Sequence, residues 1–197
     1  MSPRVLARAM RRGNISGGTQ PDRLTFTLTR LRARRSRPAI GSTPRSLKSL
    51  SNLTDRQNIA RRLAQLTPGD AARWGIMSVH QMVCHLDDSY KVPLGEKNVS
   101  PASGFLQRTL LKRIALYSPL VWPRGVSTRP EVDQHKGGSL PTVFQQDLAS
   151  LLSTLSRFCD VLPEPCLPHP IFFKMTTADW MRWGYLHADH HLRQFGR

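Results

Sequence analysis

The sequence predicts an all-α protein, an antiparallel four-helix bundle with one long irregular crossover that carries a short extra helix. Three observations predict it. Four segments carry apolar residues at helical spacing, three of them open on side-chain capping pairs, and no segment alternates with period two as a half-buried strand would. No internal repeat is present. The four helices and the crossover fill residues 46–197, and residues 1–45 form a separate basic extension.

The first helix is expected from about Thr54 to Leu66, where Ile59, Leu63 and Leu66 make a single stripe that stops at Thr67-Pro68-Gly69. The second opens at Met77-Ser78-Val79-His80-Gln81-Met82. There Ser78 and Gln81 have capping-box spacing, and Met77 and Met82 the spacing of a hydrophobic staple. This helix should run to about Val92, before Pro93. Residues 93–140 are irregular, apart from a short amphipathic helix at about 104–117 suggested by Phe105, Leu106, Leu110 and Ile114. Connections of this length are often functional, as lids or substrate walls. The third main helix is expected to start at Thr142, with Gln145 as its box partner, and to present Phe144, Leu148, Leu151, Leu152, Leu155 and Phe158. Four prolines between Pro163 and Pro170 then force an extended connector. The last helix begins near Thr176, with Asp179 at capping-box spacing, and runs to about Arg193.

Charge divides the chain in the same place. The 197 residues carry 29 Lys+Arg against 13 Asp+Glu, a net +16. Residues 1–46 hold eleven Arg and one acid, so +10 lies in the extension and +6 in the remaining sequence. The extension has no apolar stripe and is rich in Gly, Pro, Ser and Thr, which predicts disorder. It is an unstructured appendage or upstream stretch, an organelle transit segment, or a phosphate-binding arm. Phe26 is its single aromatic, so nucleic acid would bind only non-specifically through it. The Arg11-Arg12 pair is followed by Gly-Asn-Ile-Ser rather than an apolar run, which argues against a secretory signal. Three cysteines without a C-x-x-C pair argue against a disulfide framework and point to the cytoplasm. The most apolar stretch, residues 110–122, is interrupted by Lys112, Arg113 and Pro119, so no membrane span is expected.

Chemistry is concentrated in histidine. Three of the seven fall in His187-Ala188-Asp189-His190-His191. His187 and His191, at i and i+4, share a helix face and can aim two imidazoles at one cation. The same pair also arises on ordinary surface helices, and His190 could replace either on spacing alone. Asp189 and Arg193 have the spacing of a solvated ion pair. A third ligand has to come from another helix. His85, beside Met82 and Leu86 in mid-helix, suits this better than His80 in the first turn. Cys84 points about 100° away from His85 on the helix and is a packing residue rather than a nucleophile. Trp74, Trp180 and Trp183 can wall a pocket or simply fill the core.

Two segments carry a resemblance. Trp74-Gly75-Ile76-Met77-Ser78 with Gln81 to Ser89, and His187 to Gly196, resemble the DinB/YfiT-like superfamily. More narrowly, they resemble its branch of uncharacterised bacterial proteins ending in H-x-D-H-H-x-x-Q-F. Residues 122–131 and His169-Pro170-Ile171-Phe172 resemble that branch too, although Lys174 stands where it often has Gly. The likeness covers residues 46–197 and omits the basic extension. It implies a four-helix bundle in which His85, His187 and His191 hold a divalent ion such as Zn, Ni, Mn or Fe. Three imidazoles leave a coordination position open, as in catalytic sites. Such a site can lower the pKa of bound water to about 7 or take up a small-thiol cosubstrate. The resemblance therefore implies a thiol S-transferase or a hydrolase acting on a small molecule, with a non-enzymatic metal-binding or stress-associated bundle as the alternative. Asp88, one turn after His85, could orient that imidazole or contact bound water, and Gln194 could hydrogen-bond the water from beside His191. No general base is otherwise identifiable, and a homodimer is compatible with a bundle of this size.

Overall fold

A computed structural model describes residues 47–102 and 108–197, so the expected disorder of the basic extension and the places of Phe105 and Leu106 lie outside the described residues. Among the described residues the protein is all-helical. It has α1 Leu53–Ala64, α2 Val79–Lys91, α3 Arg108–Tyr117, a 3-10 turn Pro130–Val132, α4 Phe144–Asp160 and α5 Thr177–Gln194, with no strand. The nearest approach to one is an isolated antiparallel bridge between His169 and Phe173. Among the described residues no helix is long and apolar enough to cross a membrane.

Local signals set the helix starts. At α2, Ser78 Oγ accepts from the Gln81 backbone N–H at 3.1 Å and Gln81 Oε1 accepts from the Ser78 N–H at 2.8 Å. Thr176 and Asp179 form the same reciprocal pair at α5. The first helix starts one residue earlier than expected, because Asn52 Oδ1 caps the Asp55 N–H at 3.2 Å, and it ends at Ala64 rather than Leu66. The expected Thr142–Gln145 box does not form, and α4 begins at Phe144 without a side-chain cap. Thr142 instead donates its N–H and its hydroxyl to Asp147, at 2.8 and 3.0 Å. A carboxylate two residues beyond the box position outcompetes the amide.

Helix α2 packs chiefly on α4, and α5 packs on α1, α2 and α3, while α1 also meets α4. The expected stripes of α1 and α4 enter one shared core, to which α2 adds Met82, Val83, Leu86 and Tyr90, and α5 adds Trp180, Trp183 and Leu192. Gly184 permits the closest approach. A Cβ there would lie 2.8 Å from both Leu50 Cδ1 and Phe158 Cε1, and the Gly184 carbonyl accepts from the Tyr90 hydroxyl at 2.9 Å.

One stripe departs from its expected role. Leu110 is 67% exposed and Ile114 44%, whereas Leu116 is the α3 residue that is fully buried. The exposed side of α3 borders a cavity instead of the core. Covered by α4, α5 and the crossover, α2 is buried nearly all round from Met82 to Tyr90, and its polar His85, Asp87, Asp88 and Ser89 are buried with it.

Candidate metal centre

Helix α5 brings His187 and His191 one turn apart on its inner face, and α2 brings His85 opposite them. Their ring centroids form a nearly equilateral triangle with sides of 5.0, 4.8 and 4.9 Å. One ring nitrogen of each lies within 4.8 Å of those of the other two. All three side chains are buried. His80 is drawn away, with its Nε2 2.7 Å from Asp147 Oδ2. His190 stays beside the triangle, edge-on to His191 at 5.3 Å and to Trp74 at 6.0 Å. Asp189 forms the expected ion pair with Arg193 at 2.9 Å and also accepts from Arg62 at 2.8 Å.

The surroundings fix which nitrogen faces inward. His85 Nδ1 lies 2.7 Å from the Val132 carbonyl, which can only accept, so Nδ1 carries the proton and Nε2 a lone pair. Gln194 Nε2 donates to the Trp74 carbonyl at 2.8 Å, which leaves Oε1 to accept from His191 Nδ1–H at 2.9 Å. His191 therefore also presents a bare Nε2. His187 Nε2 is 3.1 Å from His85 Nε2, and its buried Nδ1 has no hydrogen-bond partner.

These residues fit a divalent cation. With ligand bonds of about 2.0–2.1 Å, two imidazole nitrogens on one tetrahedral Zn²⁺ are about 3.3 Å apart, close to the 3.1 Å of His85 and His187. Burial, followed by the mutual repulsion of the rings, holds His187 and His191 well below the usual histidine pKa. Burial lowers His85 too, against the opposing Val132 hydrogen bond and the Asp88 charge. All three rings are thus neutral near pH 7, as ligands must be.

Two sequence-level expectations change. Asp88 does not touch His85. Its carboxylate, 1% exposed, accepts from Gln134 Nε2 at 3.1 Å, Ser139 N at 2.7 Å and Ser139 Oγ at 2.7 Å, and pairs with Lys97 at 2.8 Å. It ties the crossover to α2. Gln194 meets His191 itself through the imidazole Nδ1, on the far side of the ring from Nε2. Its place depends on Gly75, which has φ +80° and whose Cβ, if present, would lie 2.8 Å from Gln194 Nε2. Gly75→Ala should cost on the order of 1–2 kcal/mol of stability and weaken Zn²⁺ binding roughly tenfold. Calorimetric titration showing unchanged affinity would separate Gln194 from ligand orientation.

A second group, His80, Cys84 and Asp147, also gathers ligand atoms within 4.8 Å. Here Asp147 already accepts from Thr142 and His80, and burial with the neighbouring carboxylates pushes the Cys84 thiol up to about 12. This group clamps α2 to α4, and Cys84 is turned away from the histidine triangle.

Sequence reasoning did not single out His169. Its Nδ1 accepts from the Ile171 and Phe172 N–H groups at 3.0 and 3.1 Å, and burial lowers its pKa to about 3. With His85, His187 and His191 it makes four buried histidines that stay neutral in the fold while the unfolded chain titrates near 6.5. Below that pH the unfolded state binds more protons, so stability falls as pH falls. Denaturant melts of metal-free protein should be constant above about pH 7. They should then lose up to about 1.4 kcal/mol per pH unit for each histidine, until its folded-state pKa is reached. A flat profile from pH 7.5 to 5.0 would contradict the burial of these rings.

The triangle opens onto a cavity of about 750 Å³ lined by residues of α2, α3, α5, the crossover and the 74–77 and 169–172 segments. Trp74, Trp180 and Trp183 line it, and the two α5 tryptophans also serve the core.

The model of a family described as "Protein of unknown function (DUF1569)" matches residues 41–197. No curated protein and no solved structure matches the chain.

Proposed function

Because the chain belongs to the DUF1569 family, whose function is unknown, its activity has to be argued from its site, and we propose a metal-dependent enzyme of the DinB-like kind. In this reading residues 46–197 are the domain, α1, α2, α4 and α5 form an antiparallel bundle, and His85, His187 and His191 hold a divalent Zn, Ni, Mn or Fe ion. The observation that carries it is the convergence of three buried ring nitrogens within 4.8 Å, two with their outer nitrogens already bonded to Val132 and Gln194. A divalent ion there would supply Lewis acidity, which lowers the pKa of a water or thiol and polarises a carbonyl. The chain's own part is to hold His85 through Val132, to hold His191 through Gln194, and to shield the rings from water. A small-molecule thiol transfer or a hydrolysis fits this set equally, since imidazole ligation chooses neither reaction nor metal.

The cavity favours turnover over a purely structural ion, because a structural site is closed by its ligands whereas this one opens onto space for a substrate. The test is metal content by mass spectrometry for the wild type and for the His85→Ala/His187→Ala/His191→Ala variant. Equal content in both sinks the site. Screening the loaded protein against thiols with electrophiles, and against esters and amides, then chooses the reaction. No turnover in either screen favours the non-enzymatic reading.

A further inference from the structure

The cavity says more about its occupant than the ligand set does. Its volume of about 750 Å³ falls within the roughly 300–1,000 Å³ typical of small-molecule sites. One wall is aromatic, with Trp74, Trp122 and Trp183, and another is formed by Leu111 and Ile114 of α3. Around it Ile76, Leu120 and Val121 are 87, 68 and 69% exposed and form an apolar rim. Because the cavity reaches His187 and His191, both over nine-tenths buried, the occupant must be slender enough to pass the rim, which a folded partner is not.

The charges lining the cavity are largely engaged. Asp133 is the one carboxylate among the described lining residues, and it is bonded to Lys136 at 3.3 Å and to the His135 N–H at 3.0 Å. The Arg129 guanidinium donates through Nη2 to Ser100 and lies near Glu131, while its buried Nε has no hydrogen-bond partner among the described residues. A cationic occupant would be desolvated among tryptophans with no free carboxylate, and an anionic one would meet only the Arg129 Nε–H, on a guanidinium whose charge already lies near Glu131. A neutral polar contact is available, however. With His169 Nδ1 accepting from two backbone N–H groups, its proton is on Nε2. His169 lines the cavity, and among the described residues its Nε2–H has no hydrogen-bond partner.

We propose that this cavity binds an uncharged, largely apolar small molecule bearing a carbonyl-type oxygen, which accepts a hydrogen bond from His169 Nε2–H beside the three-imidazole centre. The inference rests on the metal reading only for the place of chemistry, not for binding. The test is calorimetric titration of the metal-free full chain with acetophenone, butyrophenone and hexanophenone, and with alkylbenzenes of matched size. Affinity for the ketones should rise about fourfold per added methylene, and Ile114→Asp, at an exposed position, should flatten that rise. Asn at 169 supplies Oδ1 where His supplies Nδ1, so His169→Asn keeps the turn and removes the donor at the Nε2 position, which the shorter amide does not reach. It should weaken the ketones on the order of fivefold to tenfold and leave the alkylbenzenes unchanged.

Affinity independent of chain length would overturn the proposal. So would ketones no tighter than alkylbenzenes, or 4-phenylbutyrate binding tighter than butyrophenone to the metal-free chain. If His169→Asn fails to fold, the comparison of ketone with alkylbenzene in the wild type decides the same point. A normal chain-length series in protein that takes up no metal sinks the metal reading and leaves this one standing. A flat series in protein that does take up metal has the opposite meaning.

Discussion

Zinc at a thousandfold excess over its dissociation constant is expected to stabilise the wild-type protein by about 4 kcal/mol, and His187→Ala is expected to abolish that gain. For a chain of this size the difference corresponds to a melting-temperature shift on the order of 8–16 °C. His187 is the most informative of the three candidate ligands to remove. His85 and His191 each satisfy a partner, the Val132 carbonyl and Gln194 Oε1, so deleting either leaves a buried acceptor unpaired and lowers stability even without metal. His187 supports nothing outside the triangle: its Nδ1 is unbonded, and in the metal-free protein its Nε2–H donates to the His85 Nε2 lone pair at 3.1 Å. Its loss in the metal-free protein removes that one hydrogen bond, about 1 kcal/mol, and packing against Trp183 and Trp122, whose ring centroids are 4.7 and 6.2 Å away. The variant should therefore melt within a few degrees of the metal-free wild type and respond to added Zn²⁺ hardly at all. A metal-induced shift of the same size in both proteins would place the ion elsewhere, with the His80, Cys84 and Asp147 group as the next place to look.

The parts of this molecule legible in the sequence are those settled within one turn of helix. The Ser78–Gln81 and Thr176–Asp179 boxes are three-residue interactions, and both form. The i, i+4 pair His187 and His191 shares a face because helix geometry requires it, and a mid-helix position beside Met82 and Leu86 was enough to prefer His85 over His80. Thr142 misled because Asp147 lies within reach as well as Gln145, and the stronger acceptor takes both donors. The α3 stripe misled differently. Apolar spacing does not reveal what a face meets: of the described stripe residues Ile114 lines the cavity and Leu110 is exposed, and it is Leu111, outside the stripe, that joins Ile114 there. What orients the ligands was not legible at all. The Val132 carbonyl has no side-chain signature, and it comes to His85 across 47 residues of sequence. His169 gives no periodic signal either, because its tautomer is set by a turn in an irregular connector.

Asp88 joins these two levels, and Asp88→Ala should be the most damaging single substitution away from the ligands. Its carboxylate satisfies Gln134, the Ser139 backbone and hydroxyl, and Lys97 at once. Alanine leaves those donors facing a void, and breaking a buried pair in this way costs about 3–5 kcal/mol. Asn is no full remedy, because its uncharged amide gives up the pairing with Lys97 and keeps only one of the two acceptor oxygens. The segment released by either change includes residues 134–139, and Val132, which fixes the His85 tautomer, lies two residues before Gln134. Loss of stability should thus be accompanied by faster hydrogen exchange across residues 93–140 and by Zn²⁺ affinity weakened about 10–100-fold, the usual cost of removing support from a ligand. An Asp88→Ala protein that is less stable but binds Zn²⁺ as tightly as the wild type would show that His85 keeps its orientation without the crossover. The link between the α2 carboxylate and the metal centre would then be broken, leaving Asp88 a purely structural anchor.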